Sequence, residues 1–210
     1  MDDTKLLLLG DEAVGRAAVD AGIGGAFGYP GTPSTEIFEY LQAHSAATGA
    51  FPAAWSANEK VALEEALGMS YAGKRAIVTM KSVGLNVAAD PFVCSAITGV
   101  NGGLVIVVAD DPGMHSSQNE QDARYYAELA RIPCLEPGNQ QECYDMARAA
   151  FKISEAFCVP VLLRLVTRIA HSRAPVTASE PETPRKDINL PPADSLSWIL
   201  LPGVDRKSVV

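Results

Sequence analysis

The sequence is short of the residues from which metal and nucleic-acid sites are commonly built. It holds three histidines and four cysteines in 210 residues. His44, His115 and His171 lie too far apart for a metal-ligand spacing, and Cys94, Cys134, Cys143 and Cys158 form no CxxC pair. A zinc ribbon or a cysteine-held cluster is not encoded, and no metal ligand is assigned. Basic residues are in deficit, 17 against 25 acidic ones, for a formal net charge of −8. Phosphate backbones are held by clustered Lys and Arg that release counterions, so the balance argues against nucleic acid. It argues equally against an anionic membrane surface. No apolar run approaches the roughly 20 residues that span a bilayer. The start, Met1-Asp2-Asp3-Thr4-Lys5 and then four leucines, lacks the basic opening and longer apolar stretch of an export signal. Reduced thiols and a cytoplasmic location are expected.

What is present is an ordinary globular composition, 48% apolar and 20% charged, long enough for one real core. Short apolar runs alternate with helical patterns. Strands are expected at 5–10 (KLLLLG, buried), 25–28, 53–56, 76–80, 104–109 (LVIVVA) and 159–165. Helices are expected at 11–21, 35–44, 58–72, 120–130 and 140–155, with another over 82–98 interrupted near Asp90-Pro91. The run LVIVVA is of the kind that parallel sheets bury on both faces. Strands alternating with helices imply βαβ units: an α/β fold, with a mostly parallel sheet and helices on both faces. Ligands of such sheets sit beyond the carboxyl ends of the strands, so 30–34, 57–59, 81–86 and 110–122 are the segments of interest. After His171 the composition shifts. Six of the 14 prolines (Pro175, Pro181, Pro184, Pro191, Pro192 and Pro202) fall in the last 40 residues. A domain over 1–172 and a linker over 173–210 are expected, the linker leading to further domains of a longer polypeptide.

Two glycine patterns mislead. Gly68 to Lys74 fits GxxxxGK, but Arg75 stands where Ser or Thr should hold magnesium, and the stretch closes a helix instead of opening one. A helix end with a glycine cap accounts for it. Gly22 to Gly28 misses the GxGxxG spacing and precedes its strand, as a turn does. The strand-end segments carry more. Asn58-Glu59 reads as an N-cap followed by an acidic first-turn residue, and a carboxylate there is also placed to meet a ligand. Lys81 to Asn86 offers a lysine and backbone amides to an anion. Residues 110–122, DDPGMHSSQNEQD, form a long polar loop after the best strand. The pattern alone does not choose between solvated loops and a site.

Three blocks decide the matter together: GYPGTPSTE (28–36), ANEKVALEEALGMSYAGKRAIVTMKSVGLNVAADP (57–91) and GGLVIVVADDPGMHSSQNEQDARYYA (102–127), followed by VPVLLRLVTRIAHSR (159–173). In order and spacing these closely resemble the amino-terminal part of the α subunit of indolepyruvate ferredoxin oxidoreductases. These belong to the thiamine-diphosphate-dependent 2-oxoacid:ferredoxin oxidoreductases. The resemblance implies a pyrimidine-binding domain of the thiamine-diphosphate type. It implies oxidative decarboxylation of aryl 2-oxoacids to acyl-coenzyme A, with electrons passed to ferredoxin. It places at Glu59 the glutamate that hydrogen-bonds N1′ of the aminopyrimidine ring. Such a carboxyl shares a proton with the ring and favours its reactive tautomer. Pro30, Gly31, Gly84 and Asn86 are implied as further cofactor contacts, and Thr32, Lys81, His115, Gln118 and Asn119 as substrate contacts. Relatives often read Pro-Ile-Thr-Pro where this chain has Pro-Gly-Thr-Pro, and a histidine where it has Ser82. A pyrophosphate domain binding Mg2+ through a GDG…N motif, a segment holding [4Fe-4S] clusters and a β subunit are implied outside these residues. The chain alone is then expected to be inactive and to bind the cofactor weakly. Self-pairing through apolar surface left uncovered is a further expectation. Sulfopyruvate- or phosphonopyruvate-type thiamine decarboxylases have different glycine-rich turns, and a non-catalytic module would have no use for Glu59.

Overall fold

A computed structural model describes residues 4–183. Its main sheet has six parallel strands in the order β3-β2-β4-β5-β7-β6. Along the chain, β1 (Thr4–Leu9) and α1 (Gly10–Asp20) precede β2 (Gly25–Gly28), α2 (Thr35–Thr48), β3 (Ala53–Trp55) and α3 (Glu59–Tyr71). Then follow β4 (Ala76–Lys81), two consecutive helices α4 (Ser82–Val87) and α5 (Ala89–Thr98), and β5 (Leu104–Asp110). The rest is α6 (Arg124–Ala130), β6 (Cys134–Leu135), α7 (Gln140–Phe157), β7 (Val161–Val166), α8 (Thr167–Ala170) and β8 (Arg173–Ala178).

The alternation of side chains along each strand separates two apolar layers. Ile77, Val105, Val107 and Leu163 face α1, α2 and α7, together with Val14, Ile37, Phe38, Leu41 and Phe151. Val78, Met80, Ile106, Val108 and Leu162 face the other way, onto Leu63 and Leu67 of α3, Leu85 and Phe92. All seven residues of β5 are buried, as a central parallel strand requires. The helices begin where local chemistry predicts: the Asn58 and Asn139 side chains accept hydrogen bonds from the third residue of α3 and α7.

Four sequence readings change. The apolar run of β1 is not a strand of the main sheet. Among the described residues it pairs only with β8, antiparallel, and Leu7 is 62% exposed. The boundary set after residue 172 therefore moves, because Arg173–Ala178 is a strand whose Val176 and Ala178 enter the core. Glu182 continues the attachment: its amide donates to the Asp20 carbonyl, and its carboxylate accepts from Arg75, Arg148 and Lys152. The remainder of the expected linker, 184–210, lies outside the described residues. The helix break falls at Ala88, not at Pro91, which occupies the first turn of α5 where a missing N–H costs nothing. The sixth helix starts at Arg124 and not at 120, since Asp110 Oδ2 accepts from the Ala123 amide and Asp122 from that of Arg124.

Candidate cofactor site at the carboxyl edge of the sheet

From β2 the chain passes outward through α2 to β3, then returns through α3 to β4 on the other side of β2. The connections diverge there, and in open α/β sheets that crevice is where ligands bind. The segments singled out in the sequence all emerge at this edge.

The turn after β2 is fixed to the start of α2. The Gly31 amide donates to Thr35 Oγ1 at 3.0 Å, and Ser34 Oγ donates to the Gly31 carbonyl at 2.8 Å. The Thr32–Pro33 peptide is cis. Gly31 lies against Lys81: a Cβ there would stand 2.8 Å from the lysine Cδ. Lys81 Nζ reaches across to donate to the Ser116 carbonyl at 3.1 Å, and Ser116 Oγ donates to the Thr32 carbonyl at 3.1 Å. Three strand-end loops thus meet at Thr32, Lys81 and Ser116.

One strand further out, Asn58 Oδ1 accepts from the Val61 amide at 3.0 Å and starts α3. That leaves Glu59 in the first turn, 8% exposed and with no hydrogen-bond or ion-pair partner among the described residues. Its carboxylate rests on Gly84: a Cβ at 84 would stand 2.4 Å from Oε1, 2.7 Å from Cγ and 2.8 Å from Cδ. Its oxygens are not among the fully enclosed unpartnered atoms, so the carboxylate keeps solvent contact and is available to a group not belonging to the described chain. Nearby in sequence, the buried Ser82 hydroxyl at the start of α4 also has no partner. The missing side chain at Gly84 is what lets the Glu59 carboxylate lie there, and a carboxyl with no protein partner fits the chemistry of a ring nitrogen such as that of the aminopyrimidine of thiamine.

The other residues are spread more widely. Asn86 is exposed on α4 and accepts from the Tyr126 hydroxyl at 2.6 Å. Pro30 and Thr32 are exposed. Gln118 and Asn119 are exposed on the long loop, and Asn119 Oδ1 accepts from its neighbour Gln121. His115 lines an open recess with Pro112, Val166, Thr167 and Arg168, toward β7.

Asp111 organises this loop, a role the sequence pattern did not single out. Its Oδ2 accepts from the Ser116 amide at 2.8 Å and its Oδ1 from Thr167 Oγ1 at 2.7 Å. Burial works to raise this carboxyl, but the Ser116 amide and the Thr167 hydroxyl outweigh it and hold it far below the usual carboxylate range. Beside it, Asp110 accepts from Arg164 Nε at 2.5 Å in a buried pair that Glu136 extends. For Asp110 burial prevails, and its carboxyl is raised despite the Ala123 amide and Arg164.

The fold and this edge define a ligand-binding α/β domain whose candidate site centres on one buried acid. Comparisons with known proteins narrow the class. A family profile described as pyruvate flavodoxin/ferredoxin oxidoreductase, thiamine diP-binding, matches residues 16–196. The chain is 46% identical over 217 residues to indolepyruvate oxidoreductase subunit IorA of Archaeoglobus fulgidus, an alignment covering 96% of this chain and 35% of that protein. It is 51% identical over 176 residues to the subunit of that name from Methanothermobacter marburgensis, covering 84% and 28%. Among solved structures, a 2-oxoglutarate:ferredoxin oxidoreductase from Magnetococcus marinus shares the fold, with a TM-score of 0.76 at 20% identity over 85% of this chain and 32% of that one. This chain belongs to the pyruvate flavodoxin/ferredoxin oxidoreductase family, in its thiamine-diphosphate-binding domain. It spans about a third of the length of the curated relatives it matches.

Proposed function

We propose that this chain forms the aminopyrimidine half of a thiamine diphosphate site in an indolepyruvate ferredoxin oxidoreductase, and that Glu59 is its catalytic acid. The observation that carries the reading is the buried, unpartnered carboxyl of Glu59 resting on Gly84 at the ligand edge of the sheet. When bound, thiamine diphosphate supplies the carbon nucleophile that lets an aryl 2-oxoacid lose CO2. Glu59 holds the shared proton at N1′ of the pyrimidine. Gly84, having no side chain, leaves room for the Glu59 carboxylate, and Pro30, Gly31, Gly84 and Asn86 would be further contacts of the cofactor along the crevice. Lys81 places positive charge near the substrate carboxylate, and Thr32, His115, Gln118 and Asn119 supply polar contacts on the substrate side. Asp111 and Thr167 hold the loop bearing the last three.

The relatives' names support a role as one subunit of a larger oxidoreductase. On this reading the pyrophosphate-binding domain with Mg2+ and the [4Fe-4S] clusters lie elsewhere in the assembly. A β subunit, ferredoxin and coenzyme A complete it, and the chain alone is inactive and self-pairs through uncovered apolar surface. No helix among the described residues is long and apolar enough to cross a membrane; a cytoplasmic location is part of the proposal. The test is Glu59→Gln in the assembled enzyme. Loss of a positioned acid lowers indolepyruvate turnover by about 10²–10⁴-fold while the unfolding temperature stays unchanged. Turnover near that of the unaltered enzyme overturns the assignment.

A further inference from the structure

A second polar cluster lies apart from Glu59 and has no role in the reading above. Asp11 opens α1, Glu36 lies in the first turn of α2, and His171 follows α8. One ligating atom from each lies within 4.8 Å of the other two. His171 Nε2 stands 3.5 Å from Glu36 Oε2. Asp11 is 0% exposed, and neither of its carboxylate oxygens has a hydrogen-bond partner among the described residues. Glu36 Oε2 is likewise buried without a donor. Acidic residues at helix starts are common and by themselves mean nothing. A fully buried aspartate whose oxygens meet no N–H or O–H donor among the described residues, set against a second carboxylate and an imidazole, is different, because a buried polar group left without a partner is costly.

We propose that Asp11, Glu36 and His171 bind one divalent transition-metal ion of the Zn2+ or Mn2+ class. Two carboxylate oxygens with one imidazole nitrogen form a mixed set. Imidazole favours transition ions, whereas Mg2+ and Ca2+ prefer oxygen alone. Bonds of about 2.1 Å to a tetrahedral ion place neighbouring ligand atoms about 3.4 Å apart, which the His171–Glu36 separation already matches. Three protein ligands leave one position for water on tetrahedral Zn2+ and three on octahedral Mn2+. The ion joins three segments far apart in sequence. One of them is the start of α2, where Thr35, next to Glu36, holds the Gly31 amide of the cofactor-side turn. Its place in the molecule is thus a clamp behind that turn. The inference does not depend on the identity of the thiamine enzyme or on Glu59.

The test uses the tag-free 210-residue chain, stripped of metal and dialysed against Zn2+ alone and, separately, against Mn2+ alone, with bound metal counted by mass spectrometry. The expected result is one ion per chain in at least one of the two. His171→Ala and Glu36→Gln should each weaken binding by more than the roughly 10–100-fold typical of losing an outer-shell partner. His171 is exposed, so its replacement tests the site even where Asp11→Asn does not fold. Thermal unfolding should rise with the ion in the unaltered chain and not in His171→Ala. Three results overturn the proposal: no ion bound at millimolar metal, binding unchanged by both variants, or a proton shared between Asp11 and Glu36 that persists when metal is present.

Discussion

Replacing Gly84 by alanine separates the catalytic reading from a merely structural one. The added Cβ would stand 2.4 Å from Glu59 Oε1, where ordinary contact begins at 3.4 Å. The carboxylate must therefore retreat by about 1 Å, and a misplacement of that size is enough to cost about 10²-fold in rate. The three nearest atoms in the way all belong to the Glu59 side chain, so rotating that one side chain relieves the closest contacts. Alanine also gains up to about 1 kcal/mol of helix propensity over glycine within α4, which offsets the crowding. In the assembled enzyme, Gly84→Ala should lower indolepyruvate turnover about 100-fold. Its unfolding midpoint should stay within about 4 °C of the unaltered protein. Full turnover with an intact fold refutes the role given to Glu59. An unfolded variant refutes the packing argument instead.

Three further outcomes follow from the geometry. Asp110→Ala removes the buried acceptor of Arg164 Nε and leaves the guanidinium to Glu136 and Asp122; it should destabilise the domain by about 1–3 kcal/mol, seen in chemical denaturation. Asp111→Ala removes the acceptor of the Ser116 amide and the Thr167 hydroxyl; amide exchange at Ser116 should accelerate by roughly 10–100-fold, with global stability much less affected. Glu182 is lowered from 4.5 to about 2: burial opposes ionisation, but Arg75 and Lys152 prevail. A depressed carboxyl stabilises the fold fully above its ordinary value and loses that contribution as pH falls toward about 2. Glu182→Gln should therefore lower stability by about 1–3 kcal/mol at neutral pH, and the difference should shrink through that acid range, as a pH series of unfolding curves will show.

The layered sheet was legible because its signals are local. LVIVVA needs no distant partner to read as a central strand, and Asn58 announces α3 by its own side chain. The missed features depend on residues far apart. The leucines of β1 look like a core strand, yet their partners are Arg173–Ala178, in a stretch whose prolines suggested a linker. β6 is two residues long, too short for any periodicity. Within the site, the strand-end rule located Lys81 and the 110–122 loop, but not that Lys81, Ser116 and Thr32 would interlock. Asn86 follows the same strand end and yet contacts Tyr126, because α4 turns its side chain outward onto α6. Histidine spacing in the sequence says nothing of neighbours in space, and the fold sets His171 beside Asp11 and Glu36 from two other segments. Spacing in sequence reports only side chains that share an element.

A structure of the assembled enzyme with thiamine diphosphate bound examines the main proposition at the atom concerned. The account predicts one Glu59 carboxylate oxygen within hydrogen-bond reach, about 2.6–3.2 Å, of the pyrimidine N1′, with the ring lying over Gly84. A ring whose N1′ meets a different acid, with Glu59 turned away from it, would contradict the account.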